Sequence, residues 1–281
     1  MKALNIGCGT RFHPEWTNID ASYVGPHVQI HDVRKGLPFS DETFDVVYHS
    51  HLLEHLPREF ALPFSRECYR VLKRGGIIRV AVPDLERIAR LYLQTLDKAL
   101  LGDSESRNDY IWAMLELYDQ AVREKPGGAM LEYLSQNPIP NESMVYARLG
   151  EEARQIVARQ ARLRHNDNGK QCDSLGCKWW DHLHCLRDRM RAALVRRLLG
   201  RYDYKALMLG RFRLSGEIHQ WMYDRYSLAL LLEQSGFQTP RELTGFDSAI
   251  ENWAQFNLDT DGNGTVYKPD SMYVEAIKPV W

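Results

Sequence analysis

The chain has 281 residues, 44% of them hydrophobic and 26% charged, and a formal net charge of -1. That length suits one large core, or a core carrying an elaborated insertion, and the composition excludes a disordered or fibrous chain. No apolar run reaches the roughly 18 residues needed to cross a bilayer, and MKALNIGCGT is too short and glycine-rich for a secretory leader, so a cytoplasmic enzyme or binding protein is expected.

The first ninety residues alternate short strands with helical or turn segments. Apolar runs at 3–6, 16–19 and 28–30 each stop at a turn or an acid: Gly7-Cys8-Gly9, Asp20 and Asp32. FDVVY at 44–48 and IIRVAV at 77–82 are β-branched and read as strands. Between them, residues 59–72 repeat apolar positions at helical spacing (Phe60, Phe64, Cys68, Val71, Leu72), and Gly75-Gly76 is expected to stop that helix. A further helix is expected over 84–96. Residues 90–215 then read as a charged helical insertion, with 1–89 and 216–281 forming the two parts of the core. Residues 220–235 predict an amphipathic helix closed by Gly236, and 271–278 (SMYVEAIK) a last strand in the same sheet. Short strands separated by helices point to a mostly parallel sheet covered on both faces.

LNIGCG is a strand running into a Gly-x-Gly turn, where the backbone can approach a ligand with no Cβ in the way. Position 12 is Phe, so the dinucleotide fingerprint GxGxxG is incomplete and a pyrophosphate site is not supported. The ordered set of glycine turn, Asp20 and Asp32, each after a strand, suggests instead a nucleoside pocket without a phosphate.

With these pieces in place, LNIGCG, WTNID, HDVRKGLPFSDETFDVVYHSHLLEH and RECYRVLKRGGIIRVAVPD together resemble a class I S-adenosylmethionine-dependent methyltransferase of type 11. The resemblance is close over about residues 3–87 and looser over 217–237 and 268–278. It implies an α/β, Rossmann-like fold: a seven-stranded, mostly parallel sheet with helices on both faces and a helical insertion after the fifth strand. It also implies S-adenosyl-L-methionine as cofactor, with Gly7, Cys8 and Gly9 against its methionine part and Asp20 on the ribose hydroxyls. Asp32 and Val33 would contact adenine, while His49, Ser50 and His51 would close over the methyl group. Three positions depart from the family pattern. Asn5 stands where an acid is common and is retained as a cofactor contact, Arg11 replaces a third glycine, and KRGG replaces KPGG.

Methyl transfer to a hydroxyl gains from a base, and His51 is the expected one by its position after the fourth strand. His219, in GEIHQWMY, and Asp84, after the fifth strand, are the other candidate catalytic residues; Asp84 can equally cap the next helix. The acceptor is read as a small molecule or saccharide, with O-methylation as the reaction. Fifteen Lys or Arg oppose seven Asp or Glu from Glu151 to Arg213, which would suit an anionic or nucleotide-linked sugar bound by Arg191, Arg196, Arg197 and Arg201, or simply a solvated helix face. A nucleic-acid methyltransferase and a non-catalytic interaction protein are the alternatives.

Three further motifs read as structural, so no metal is assigned. His51-Leu-Leu-Glu54-His55 fits the H-x-x-E-H zinc-peptidase pattern, but it follows a strand directly and Pro57 curtails any helix. The 259–264 stretch DTDGNG begins like a calcium loop, yet its twelfth position is Asp270 and a hairpin turn is the simpler account. Cys172, Cys177, His182, His184 and Cys185 are dense enough for zinc but awkwardly spaced, and five cysteines in all do not form a disulfide scaffold.

Overall fold

The computed structural model describes residues 1–167 and 179–281 and contains one seven-stranded sheet. Its strands are β1 (Ala3–Ile6), β2 (Thr17–Asp20), β3 (Val28–Ile30), β4 (Phe44–Ser50), β5 (Leu72–Pro83), β6 (Gln238–Leu243) and β7 (Ser271–Ile277). They lie in the order 3-2-1-4-5-7-6. β1 to β5 pair in parallel, and β7 runs antiparallel to both β5 and β6. This is the expected mostly parallel Rossmann-like sheet.

Alternation along the strands separates two apolar layers. On one face Leu4, Ile6, Val47, Ile78, Val80, Val82, Met272 and Val274 pack against α1 (Arg58–Val71) and α7 (Arg225–Gln234), which contribute Phe64, Cys68, Leu228 and Leu232. The other face holds Trp16, Val46, Tyr48, Ile250, Trp253 and Leu258. Arg79 points to that second face and is fully buried: its guanidinium meets Asp259 and Glu275 at 2.7 Å each and lies 4.6 Å from the Trp253 ring centroid. Glu275 is its direct partner in the β5–β7 register.

Between β5 and α7 the described chain is helical: α2 (Leu85–Leu100), α3 (Ser104–Val122), α4 (Gly128–Leu134), α5 (Glu142–Asp167, broken at Gly150) and α6 (Trp179–Arg213, broken at Gly200). α3, α4 and α5 share a separate small core around Trp112, Tyr133, Leu134, Val145 and Leu149. No helix among the described residues is long and apolar enough to cross a membrane.

Two boundaries and one strand differ from expectation. The helix before β5 ends at Val71, and Gly75-Gly76 lie inside the strand. Gly75 donates to the Lys278 carbonyl, and a Cβ on Gly76 would approach the Asp45 carbonyl to 2.9 Å, so these glycines serve close strand packing rather than helix termination. The late helix starts at Arg225, capped by Asp224 in a capping box with Ser227; residues 220–223 lie before it outside the helix, with Tyr223 bridged to Asp84. β6 was not anticipated. Cys172 and Cys177, with the side chains of His182, His184 and Cys185, lie outside the described residues.

Candidate active site

β1 to β3 progress toward one edge of the sheet, and β4 and β5 toward the other, so a crevice opens beyond the carboxyl ends of β1 and β4. A cavity of about 200 Å³ occupies it, lined by Asn5, Gly7, Cys8, Gly9, Ser50 and His51 from those strand ends. Leu258, Asp259, Tyr267 and Lys268 face them from the C-terminal region, and Glu152 from α5. Gly7 and Gly9 adopt φ of +64° and +49°, a left-handed conformation that favours glycine. A Cβ on Gly7 would strike Leu52, whereas one on Gly9 would meet nothing within 4 Å. The Gly9 backbone is therefore open to a ligand.

The remaining sequence-predicted residues divide. Asp20 is tied to the glycine turn, accepting from the Gly9 N–H at 2.9 Å and from the Ser22 N–H and hydroxyl. Asp32 caps the 3-10 turn Val33–Lys35 and chelates the Arg34 guanidinium, which holds its carboxyl below the usual range. Neither acid nor Val33 lines the cavity. The Asn5 amide donates to the Arg11 carbonyl, shaping the turn in place of the common acid. Arg11 reaches across to the carbonyls of Asn257, Leu258 and Thr260, which gives this departure from a third glycine a structural purpose. His49 is buried edge-on to Phe64, and burial pushes its imidazole down to about 4. Burial, reinforced by Asp20, pushes the Cys8 thiol up to about 12, leaving it inert as a nucleophile.

A second cavity, of about 350 Å³, adjoins the first: His51, Glu152 and Lys268 line both. Its floor carries His51, His55, His219 and Asp270; its cover comes from Gln120 and Arg123 at the end of α3, Met130, Leu131 and Leu134 on α4, and Leu149, Glu152 and Ile156 on α5. The 3-10 turn Leu53–His55 does not place His51 and His55 on one helical face, so the H-x-x-E-H letters build no peptidase helix. Instead His51 takes a left-handed φ of +50°, uncommon for a residue other than glycine, and is fixed from three sides. Its amide donates to the Ala81 carbonyl, Nδ1 lies 3.1 Å from Glu54, and Nε2 lies 2.8 Å from the Ser271 hydroxyl.

His219 arrives from far along the chain, held by its own amide on the Gln120 carbonyl and by Gln220 and Trp221 amides on the Glu54 carbonyl. Burial drives its imidazole down to about 3, so it is neutral at ordinary pH. Asp84 caps α2 and pairs with Arg87; it lines neither cavity. Among the carboxylates that line the second cavity, Asp270 is raised by burial to about 6 despite His51 nearby. Sequence reasoning had weighed Asp270 only as a failed calcium ligand. Asp259 and Asp261 are likewise structural, on Arg79 and in the hairpin turn to Thr265. Arg191, Arg196 and Arg197 line separate depressions on α6.

Compared with known proteins, residues 14–80 match the family model described as a methyltransferase domain. That match spans residues 14–80 of the 281. No curated protein matches it. Solved structures with broad but weak likeness include a SAM-dependent methyltransferase, possible histamine N-methyltransferase, from Thermotoga maritima, at 13% identity over 99% of this chain and 82% of that one, TM-score 0.39. A SAM-dependent methyltransferase from Archaeoglobus fulgidus gives 14% identity, 99% and 86% coverage, and a TM-score of 0.38. The methyltransferase match stops at residue 80, so the glycine turn before it and the helical cover after it are read from geometry alone. The glycine turn leaves open space at Gly9 where a cofactor such as S-adenosylmethionine could approach, while Asp20, at the end of β2, braces that turn through the Gly9 N–H.

Proposed function

We propose that the chain is an S-adenosylmethionine-dependent methyltransferase acting on a hydroxyl oxygen of a small polar acceptor, such as a saccharide, seated in the cavity under α3, α4 and α5. The observation that carries this reading is the junction of the two cavities at His51, Glu152 and Lys268, where a donor bound at the glycine turn and an acceptor under the helices would meet. Bound S-adenosylmethionine supplies an electrophilic methyl group on a sulfonium whose leaving thioether needs no proton. Gly7 to Gly9 would hold that cofactor, with Asp20 bracing the turn from behind through the Gly9 N–H. Met130, Leu131, Leu134, Leu149 and Ile156 form an apolar wall that excludes water, opposite the imidazoles and Asp270. A face that is apolar on one side and polar on the other suits a sugar-like or hydroxylated ring.

His51 Nδ1 lies 3.1 Å from the Glu54 carboxylate as an ion-pair contact, and Nε2, 2.8 Å from the Ser271 hydroxyl, would act as the base. The Ser271 hydroxyl holds Nε2 until the acceptor hydroxyl gives up its proton. Arg123 and Lys268 are the cations at this cavity, against Glu152, Glu217 and Asp270, so its lining favours a neutral acceptor over a phosphorylated one.

Ile156→Trp tests the seat of the acceptor, since it fills the second cavity from α5 without touching the first. With a panel of hydroxylated acceptors and labelled methyl donor, the variant should lose transfer while its affinity for S-adenosylhomocysteine stays within about twofold. Unchanged transfer would place the acceptor elsewhere.

A further inference from the structure

We propose that Glu54, His55 and His219 bind a divalent first-row transition-metal ion at the floor of the acceptor cavity. One ligand atom from each lies within 4.8 Å of the other two. Bonds to such an ion are about 2.0–2.2 Å, so the three atoms need each close by less than about 1 Å. Two imidazoles and one carboxylate are a donor set that suits iron, manganese, cobalt or zinc and leaves coordination positions open.

Three independent features point to a cation here. First, Glu54 is fully buried, yet neither carboxylate oxygen has a hydrogen-bond partner. The His51 Nδ1 at 3.1 Å is within ion-pair distance of Oε1 but is not directed along a hydrogen bond, and Oε2 has nothing. A buried carboxylate without hydrogen-bond partners is costly, and a cation at this point would satisfy it. Second, His55 is oriented as a metal ligand: Nδ1 donates to the Ile218 carbonyl at 3.0 Å, which fixes the tautomer and leaves Nε2 with a free lone pair. Its ring stands edge-on to that of His219 at 4.8 Å between centroids. Third, the backbone bonds from Gln220 and Trp221 to Glu54, and from the Gln220 side chain to the His55 carbonyl, join the two ligand-bearing segments rigidly. Because His55 and His219 line the acceptor cavity, an ion held there borders it and can take an acceptor oxygen as a further ligand.

The proposal does not depend on the methyl donor, and its test omits it. Protein stripped with a chelator is titrated with Co²⁺ alone, following ligand-field absorption and binding heat. One equivalent should bind, and Glu54→Gln and His219→Asn should each weaken binding by more than about 100-fold, beyond the 10–100-fold typical of an outer-shell partner. Asp261→Asn, in the exposed hairpin, should leave the affinity unchanged. Melting curves establish that each variant is folded; should one not fold, the wild-type titration and the other variant decide. Failure of Co²⁺ to bind at millimolar concentration, or equal affinity in the folded variants, overturns the site and leaves the methyl-transfer reading standing.

Discussion

Arg79→Met is the substitution with the largest expected cost to the fold. The side chain donates to Asp259 and Glu275 at 2.7 Å and to the carbonyls of Asp247 and Thr244 at 2.9 Å, all from a position with no solvent exposure. Methionine fills similar space but removes the positive charge between two buried carboxylates. Those carboxylates keep some donors, Tyr48 on Asp259 and Ser248 with Ala249 on Glu275, yet none carries a charge. Breaking such a network by deleting one member costs about 3–5 kcal/mol. At about 2–4 °C per kcal/mol for a chain of this size, the melting temperature should fall by roughly 10 °C. Scanning calorimetry and urea denaturation measure this directly. Leu258 and Asp259 also line the strand-end cavity, so cofactor affinity should weaken in the folded variant. A melting shift below about 2 °C would refute the network as the clamp holding the 244–259 region onto the sheet.

Two other outcomes follow from the same structure. Glu67 accepts from Arg70 through both oxygens and from the Leu37 amide, and the Arg70 bonds, against the opposing effect of burial, hold its carboxyl below the ordinary value of 4.5. Its stabilisation is present above that value and is lost as pH falls through the depressed one. Glu67→Gln should therefore cost about 1 kcal/mol at pH 7, modest because the pair is partly exposed, and less as pH falls through the depressed value in urea melts; a cost that does not shrink with falling pH would contradict the ion-pair account. His51→Ala should lower kcat by about 10²–10⁴ while leaving S-adenosylhomocysteine binding within a few fold, and a loss confined to KM would remove it as the base.

Much of the sheet was legible because its signals are local. IIRVAV and FDVVY are β-branched runs, and the glycine turn and strand-end acids mark where β1, β2 and β3 stop. β6 escaped because Gln238–Leu243 reads QTPREL, an exposed edge strand with a proline and no alternation to detect. The late helix was placed too early because Trp221 and Met222 continue the apolar pattern, whereas Asp224 supplies the cap that sets its start. At the site, His51 and His219 stood out as residue types, but their company did not. Glu152, Arg123, Lys268 and Asp270 reach the cavities from separate parts of the chain, and nothing in their local sequence distinguishes them from solvated charges. The basic run of α6 was the reverse case: conspicuous in sequence, yet its Arg191, Arg196 and Arg197 lie apart from both cavities.

Calorimetry with S-adenosylmethionine on the wild-type chain and on Gly9→Leu tests the central claim most directly, because the leucine side chain would project into the open space above the turn. One-to-one binding by the wild type, reduced by more than about tenfold in a Gly9→Leu variant that still melts cooperatively, is the expected result. Absence of binding heat for the wild type at saturating concentration, or undiminished affinity in the variant, would contradict the assignment of this cavity to the methyl donor.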